Sequence, residues 1–469
     1  MHRPGGMLMA LSILDAVTRE LTLFAAIFLA VGGLDDLIVD MIFLFSCLGG
    51  GRRNQRIIAG DRSETAEYRF AIFVPAWDES AVIAPMLRSM LARWGDGPYR
   101  IYVGTYPNDP ATIAAVLSLG AEDWRVRLVI GARPGPTTKA DCLNVLWAAL
   151  ERDEAAEGEA FTAVVLHDAE DVVHPQELAV YASWVGTHGA VQLPVAPLCQ
   201  PGSRLVSGHY LDEFAQSHGA TLPVRQMLGA SLPLAGVGCA IRCDVLRRIA
   251  DARGTPFDAT SLTEDYELGL RLRALGTRCA FVRVPERANG PPVAIRAYFP
   301  ATVPAAVRQK ARWMAGIALA GWDRTGWGQR WDLGDHWMRM RDRRVTLAML
   351  VLAIAYAALV CWGLSALCHA LLGGPPPAWD PLLAQLVALN LTLLGWRVAM
   401  RTALVTRLHG WREGGWAVPR MVVGNYIGLL AARRALWIYV RLLAGGPLRW
   451  DKTAHQFPST PFDPQSAVA

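Results

Sequence analysis

The chain has 469 residues, with 52% apolar types and only 19% charged ones, against roughly 25% charged in an ordinary soluble protein. Its length implies more than one structural unit, and its composition excludes a disordered chain, a collagen-like repeat and a small disulfide scaffold. The formal charge of +5 is too small to argue for a nucleic-acid partner. Eight cysteines stand without a C-x-x-C pair or Cys/His zinc spacing, so reduced thiols are expected.

In chain order, the first apolar runs are Leu21–Leu34 and Met41–Leu48, split by Asp35, Asp36 and Asp40. The acids interrupt any signal-peptide core and no Ala-x-Ala site follows. One acid-bearing span is the simplest reading, and a span plus a short re-entrant piece is the rival. Further on, Val345 to Trp379 contains no Asp, Glu, Lys or Arg, which is longer than the roughly 20 residues that cross a bilayer as a helix. A second candidate covers Asp380–Met400 after the Gly373-Gly-Pro-Pro-Pro377 turn. A third, Ala417–Ala444, carries Arg433 and Arg434 in its middle and reads either as a span or as an interfacial helix. Pairing of Asp35, Asp36 and Asp40 with Arg433 and Arg434 would satisfy both sets of charges in lipid. Arg52, Arg53 and Arg56 follow the first span and Arg339-Met-Arg-Asp-Arg-Arg344 precedes the long one, so the region between them should be cytoplasmic. The expected divisions are a membrane segment at 1–51, a cytoplasmic domain at 52–344 with an interfacial helix near 304–321, membrane or interfacial helices at 345–444, and a tail at 445–469.

Within the cytoplasmic domain short apolar runs alternate with helix-like stretches, the pattern of an α/β domain with a largely parallel sheet. Candidate strands are Phe70–Val74, Arg100–Gly104, Val126–Ile130 and Ala163–Leu166; the helices expected after them are Ala81–Arg93, Ala111–Leu119, Lys139–Leu150 and Pro175–Val185. Ligands bind at the carboxyl ends of such strands. The polar clusters Pro75-Ala-Trp-Asp-Glu79, Asn108-Asp109 and His167-Asp-Ala-Glu-Asp171 fall there. Three acids within four residues after a buried strand need a cation, and hard divalent ions bind a few carboxylates plus substrate phosphates; the bland alternative is an acidic helix start. Thr263-Glu-Asp265 opens a helix, where capping by Thr263 or Asp265 would suffice to explain it. Gln309-Lys-Ala-Arg-Trp313 lies in an amphipathic stretch that could equally rest on a membrane. A complete phosphate loop, a G-x-G-x-x-G turn and a G-x-S-x-G elbow are all missing.

Taken together and in order, Val74-Pro-Ala-Trp-Asp-Glu79, Thr138-Lys-Ala-Asp-Cys-Leu-Asn144, Asp168-Ala-Glu170, Thr263-Glu-Asp265 and Gln309-Lys-Ala-Arg-Trp313 resemble the membrane-bound family-two glycosyltransferases of GT-A (Rossmann-like) fold. The wording His167-Asp-Ala-Glu-Asp-Val-Val-His-Pro175 is most similar to the phage adsorption protein B (NfrB-type) group. The resemblance implies an α/β GT-A domain joined to an α-helical transmembrane region. It also implies an inverting transfer from a nucleotide-diphosphate sugar to a growing polysaccharide at the cell inner membrane. The alternatives are transfer of one sugar to a lipid carrier, or a non-catalytic component of a receptor or export complex. By the same resemblance Asp265, with Glu264 beside it, is the catalytic base. Asp168 with Glu170, or Asp171 in its place, holds Mg²⁺ or Mn²⁺. Pro75, Glu79, Asp109, Lys139, Asp168 and Arg312 bind the donor, while Gln309 and Trp313 meet a glycan or lipid-linked acceptor. An outer-envelope export partner would receive the product.

Overall fold

In the computed structural model, residues 4–49, 68–288, 290–446 and 456–458 are described. The flanking Arg52, Arg53 and Arg56 and most of the tail therefore lie outside the described residues.

The chain opens with one continuous helix, α1 (Pro4–Leu48), which runs through both apolar runs without a turn at which a re-entrant piece would fold back. At 45 residues it is about 68 Å long, more than twice a bilayer's apolar thickness. An α/β unit follows: β1 (Phe70–Pro75), α2 (Ile83–Trp94), β2 (Tyr99–Thr105), α3 (Pro110–Glu122), β3 (Val126–Ile130), α4 (Lys139–Glu157), β4 (Ala163–Leu166) and α5 (Glu177–Val185). The unit continues with β5 (Ala190–Gln192), β6 (Val195–Leu198), α6 (Gly208–Gln216), α7 (Leu222–Met227), β7 (Cys239–Arg242), α8 (Cys243–Arg253), α9 (Glu264–Ala274), β8 (Cys279–Phe281) and β9 (Ile295–Tyr298). The remainder is helical: α10 (Val303–Met314), α11 (Ala320–Thr325), α12 (Leu333–Arg343), α13 (Val345–Leu371), α14 (Pro381–His409) and α15 (Trp411–Leu443).

The main sheet runs β3-β2-β1-β4-β7-β5-β8. Strands β1 to β4 pair in parallel, while β7 is antiparallel to both β4 and β5. Because β2 and β4 leave β1 on opposite sides, their carboxyl ends frame a crevice, the place where such sheets bind ligands. Side chains alternate across the sheet. Phe70, Ile72 and Val74 enter one apolar core with Met86, Leu87 and Tyr181, and Ala71 and Phe73 enter the other with Leu143, Leu146 and Trp147. A short parallel pair, β6 with β9, lies apart.

Among the described residues three helices, α1, α13 and α14, are long and apolar enough to cross a membrane. Helix α15 falls outside that set, since its arginines interrupt it, and it packs along α10, α13 and α14 instead. The acids of α1 do not find Arg433 and Arg434. Helix α1 lies against α13 and α14, where Asp35 and Asp36 ion-pair with Arg341 and Arg344, and Asp36 also with Arg397. Asp40 accepts from Gln216 at 3.1 Å and from Trp396 at 3.1 Å. The expected pairing with Arg433 and Arg434 is therefore not met: arginines at the foot of α13 and on α14 sit beside α1, and those of α15 do not. All eight cysteines are free thiols.

Candidate active site

The crevice is built from loops that follow β1, β2, β3 and β4. After β1, Asp78 adopts a φ of 54°, uncommon without glycine. Asp109 holds it there. One carboxylate oxygen accepts from Asp78 N–H at 2.6 Å and the other caps α3 at Thr112 N–H, 3.2 Å away. Thr112 Oγ1 in turn accepts from Glu79 N–H at 3.0 Å. Pro75 ends β1, and Glu79 is buried. After β3, the loop at 131–138 is fastened over the crevice. The Asn108 side chain bonds both backbone groups of Gly135, at 2.7 and 2.9 Å. A Cβ at Gly135 would lie 2.6 Å from the Trp77 ring.

That loop delivers Lys139 to the first turn of α4, which Thr138 caps through Asp141 N–H at 3.2 Å. Lys139 Nζ donates to Asp168 Oδ1 at 2.5 Å and to the carbonyl of Gly236 at 3.1 Å. Burial works against its charge, but the Coulombic pull of Asp168, Glu264 and Asp265 prevails and holds the ammonium above the ordinary lysine range. Three otherwise distant segments, at Asp168, Gly236 and Glu264–Asp265, thus converge on one cation, because three carboxylates so close together need compensation.

Glu264 and Asp265 sit in the first turn of α9. Neither capping expectation is met in full: Thr263 makes no side-chain cap, and Asp265 Oδ1 accepts from the adjacent Tyr266 N–H at 2.8 Å. Burial, then repulsion from Asp265, pushes Glu264 up to about 7. Burial also raises Asp265, against the attraction of Lys139. The charge of Arg312 reaches both acids and favours their ionised forms. The turn following α10 is seated against the start of α9, for a Cβ at Gly316 would lie 2.6 Å from Thr263 Oγ1.

The acids after β4 divide by environment. Asp168 keeps its side chain 36% exposed at the crevice. Asp171 is buried and accepts from Asp168 N–H at 3.0 Å and from His167 Nδ1 at 2.9 Å. His167 Nε2 lies 3.0 Å from Glu177 Oε1. Burial opposes protonation of this imidazole, but Glu177 and Asp171 outweigh it and push it up to about 10. Through Asp171, the His167–Asp171 pair fixes the loop that presents Asp168. Glu170 is also buried.

On α10, Gln309 and Arg312 are half-buried. Lys310 ion-pairs with Glu213 on α6. Trp313 stands edge-on to Tyr210 with ring centres 6.2 Å apart, within an apolar group that includes Phe299.

Two features of the site have roles that the sequence motifs did not indicate. The first is Gly236, with a φ of +71°, where a Cβ would lie 2.5 Å from Asp265 Oδ2. The spacing of Gly236 and Gly238 just before a strand was its only signal. The second is the His167–Asp171–Glu177 group, visible in sequence only as acids beside a histidine.

The family model described as Glycosyltransferase like family 2 matches residues 68–316, more than half of the chain. The chain belongs to this family. Bacteriophage adsorption protein B of Escherichia coli (strain K12) is 35% identical over 478 aligned positions, covering 96% of this chain and 63% of that protein. Bacteriophage N4 adsorption protein B of Escherichia coli O157:H7 matches equally. The chain thus spans 63% of the length of these curated relatives. Among solved structures, a mannosyltransferase from Pyrobaculum calidifontis in complex with GDP-Man and Mn²⁺ superposes with a TM-score of 0.50 at 17% identity, covering 91% of this chain and 99% of that one. At that identity the likeness speaks for the fold, GT-A-like with a helical region attached, which is the architecture that the family-two resemblance implies.

Proposed function

We propose that this family-two glycosyltransferase transfers a sugar, with inversion, from a nucleotide-diphosphate sugar to a growing glycan at the inner membrane. The observation that carries the reading is the convergence of Lys139, Asp168, Glu264 and Asp265 within the field of Arg312. Asp265 removes the proton of the acceptor hydroxyl, whose oxygen bonds to the anomeric carbon as the bond to the diphosphate breaks on the opposite face. Arg312 and Lys139 neutralise the departing phosphates, since fixed cations act strongly where charge develops. Pro75, Glu79 and the loop that Asp109 braces border the nucleoside, and Gln309 and Trp313 the acceptor.

Among the described residues no group of three or more His, Cys, Asp or Glu side chains could hold a metal ion. Mg²⁺ and Mn²⁺ suit another arrangement, one or two carboxylates completed by substrate phosphates. The exposed carboxylate of Asp168, with Glu170 two residues on, fits that donor set. A divalent ion there would supply positive charge to the leaving diphosphate. Asp171, committed to His167, is better suited to bracing the loop than to joining them.

Three spanning helices give an orientation consistent with the basic clusters. With residues 49–344 on the cytoplasmic side, α13 leads out and α14 returns, so Arg401, Arg407 and Arg412 also face the cytoplasm, as basic flanks prefer. These two crossings bring α15 back to the side of the catalytic unit.

The test is to incubate the purified protein with UDP- and GDP-sugars and Mg²⁺ or Mn²⁺, then measure nucleotide release and product length. One donor consumed with chain growth supports the reading. Release without any glycosylated product, or no turnover with the whole panel, contradicts it.

A further inference from the structure

Helix α10 and the turn after it touch α15 along a seam of small residues, with Ala311 and Ala315 on one side and Ala431 and Ala435 on the other. Beside the seam they part to leave a groove of about 610 Å³, lined by Val303, Pro304 and Val307 of α10 and by Tyr426, Leu430, Arg433, Arg434 and Trp437 of α15. The donor-site residues Lys139, Asp168 and Arg312 take no part in it.

The surroundings of the groove identify its occupant. Val418, Val422, Tyr426, Trp437 and Val440 are exposed and recur at helical spacing, so α15 presents one apolar stripe to its surroundings. Arg433 is exposed on that stripe. The helix is packed on α13 and α14, two of the spanning helices. An apolar stripe next to spanning helices is surface that lipid covers, and a guanidinium inside it needs an anionic partner. The aromatic rings of Tyr426 and Trp437 suit the headgroup level, where such side chains collect. Basic pockets between membrane helices on the cytoplasmic side bind anionic headgroups in this way.

We propose that this groove is a binding site for an anionic phospholipid of the leaflet facing the catalytic unit. Arg433 and Arg434 hold its phosphate, and Val303, Val307 and Leu430 line the path of an acyl chain. The lipid bridges α10, which also carries Gln309, Arg312 and Trp313, to a helix resting on the membrane. The inference rests on the membrane association of the helical region and is independent of which sugar is transferred.

Binding is read without any activity measurement, by quenching of tryptophan fluorescence in nanodiscs that contain brominated phosphatidylglycerol or brominated phosphatidylcholine. Wild-type protein is expected to be quenched more by the brominated phosphatidylglycerol, and Trp437→Phe to lose that excess. Arg433→Gln with Arg434→Gln should reduce the preference for phosphatidylglycerol roughly thirtyfold, since each arginine near an anionic surface contributes roughly a fivefold factor. Arg433→Lys with Arg434→Lys should keep most of it. Should the glutamine pair fail to fold, the Trp437→Phe comparison decides alone. An unchanged lipid preference in the glutamine pair, or the same excess quenching in Trp437→Phe, overturns the proposal. Free glycerol phosphate added to the brominated phosphatidylglycerol nanodiscs should leave the excess quenching unchanged; if it removes the excess, the groove is a site for soluble phosphates and the lipid proposal fails.

Discussion

Replacing Gly236 by alanine separates the geometry around Asp265 from ordinary backbone stability. Two costs arise at this position. The φ of +71° is left-handed, which costs a non-glycine residue about 1–2 kcal/mol. The new Cβ would also lie 2.5 Å from Asp265 Oδ2, where ordinary contact begins at 3.4 Å. The carboxylate must therefore retreat by about 0.9 Å, and a displacement near 1 Å at a reacting group can cost about a hundredfold in rate. Gly229 provides the control, with a φ of +63° and nothing within 4 Å of the added carbon. Both Gly236→Ala and Gly229→Ala should lower thermal stability through the left-handed backbone, Gly236→Ala by more because of the added overlap with Asp265. Only Gly236→Ala should reduce nucleotide release by about a hundredfold while donor affinity, measured by titration calorimetry, changes little. Equal turnover in the two variants would refute the reasoning, because it would mean that the contact with Asp265 does not position the base.

Glu264 gives a pH dependence. Its folded pKa is raised from 4.5 to about 7 by burial and by Asp265, so the native chain holds this proton more tightly than the unfolded one. Stability from this group is accordingly lost as pH rises between those values, while activity should climb as the acid pair ionises. Glu264→Gln should flatten both profiles, which melting curves and initial rates at each pH will show. Asp171→Ala strips His167 of a buried partner and should cost about 3 kcal/mol of stability; Glu170→Ala should instead raise the Mn²⁺ concentration needed for half-maximal rate with little change in melting. The opposite pattern would exchange the two roles. Asp35→Asn with Asp36→Asn leaves Arg341, Arg344 and Arg397 without their carboxylates and should lower detergent-phase stability by about 3 kcal/mol. An unchanged melting temperature would mean that water already screens this cluster.

Strands β1 to β4 were legible because each is an apolar run followed by a helical period, and expected and observed limits differ by one residue at most. Strands β5 to β9 contain three or four residues, too few to show a period, and the antiparallel insertion of β7 leaves no local trace. The motifs pointed to Lys139, Asp168, Glu264, Asp265 and Arg312, since charge near the end of a buried strand or at a helix start is conspicuous. The glycine that abuts Asp265 was not, because what it requires is a contact made across the fold. Likewise the sequence demanded partners for Asp35 and Asp36 in lipid, but which arginines would serve depended on helix packing that no local pattern encodes.

The most direct test of the central claim is single-turnover transfer by Asp265→Asn, with the donor sugar that the wild-type enzyme consumes. The carboxamide keeps the shape of the side chain and loses its basicity. Donor binding should remain near the wild-type value while transfer to the acceptor falls to background at every pH. Wild-type transfer by the Asp265→Asn protein would contradict the account, since the crevice would then perform its chemistry without the base around which it is built.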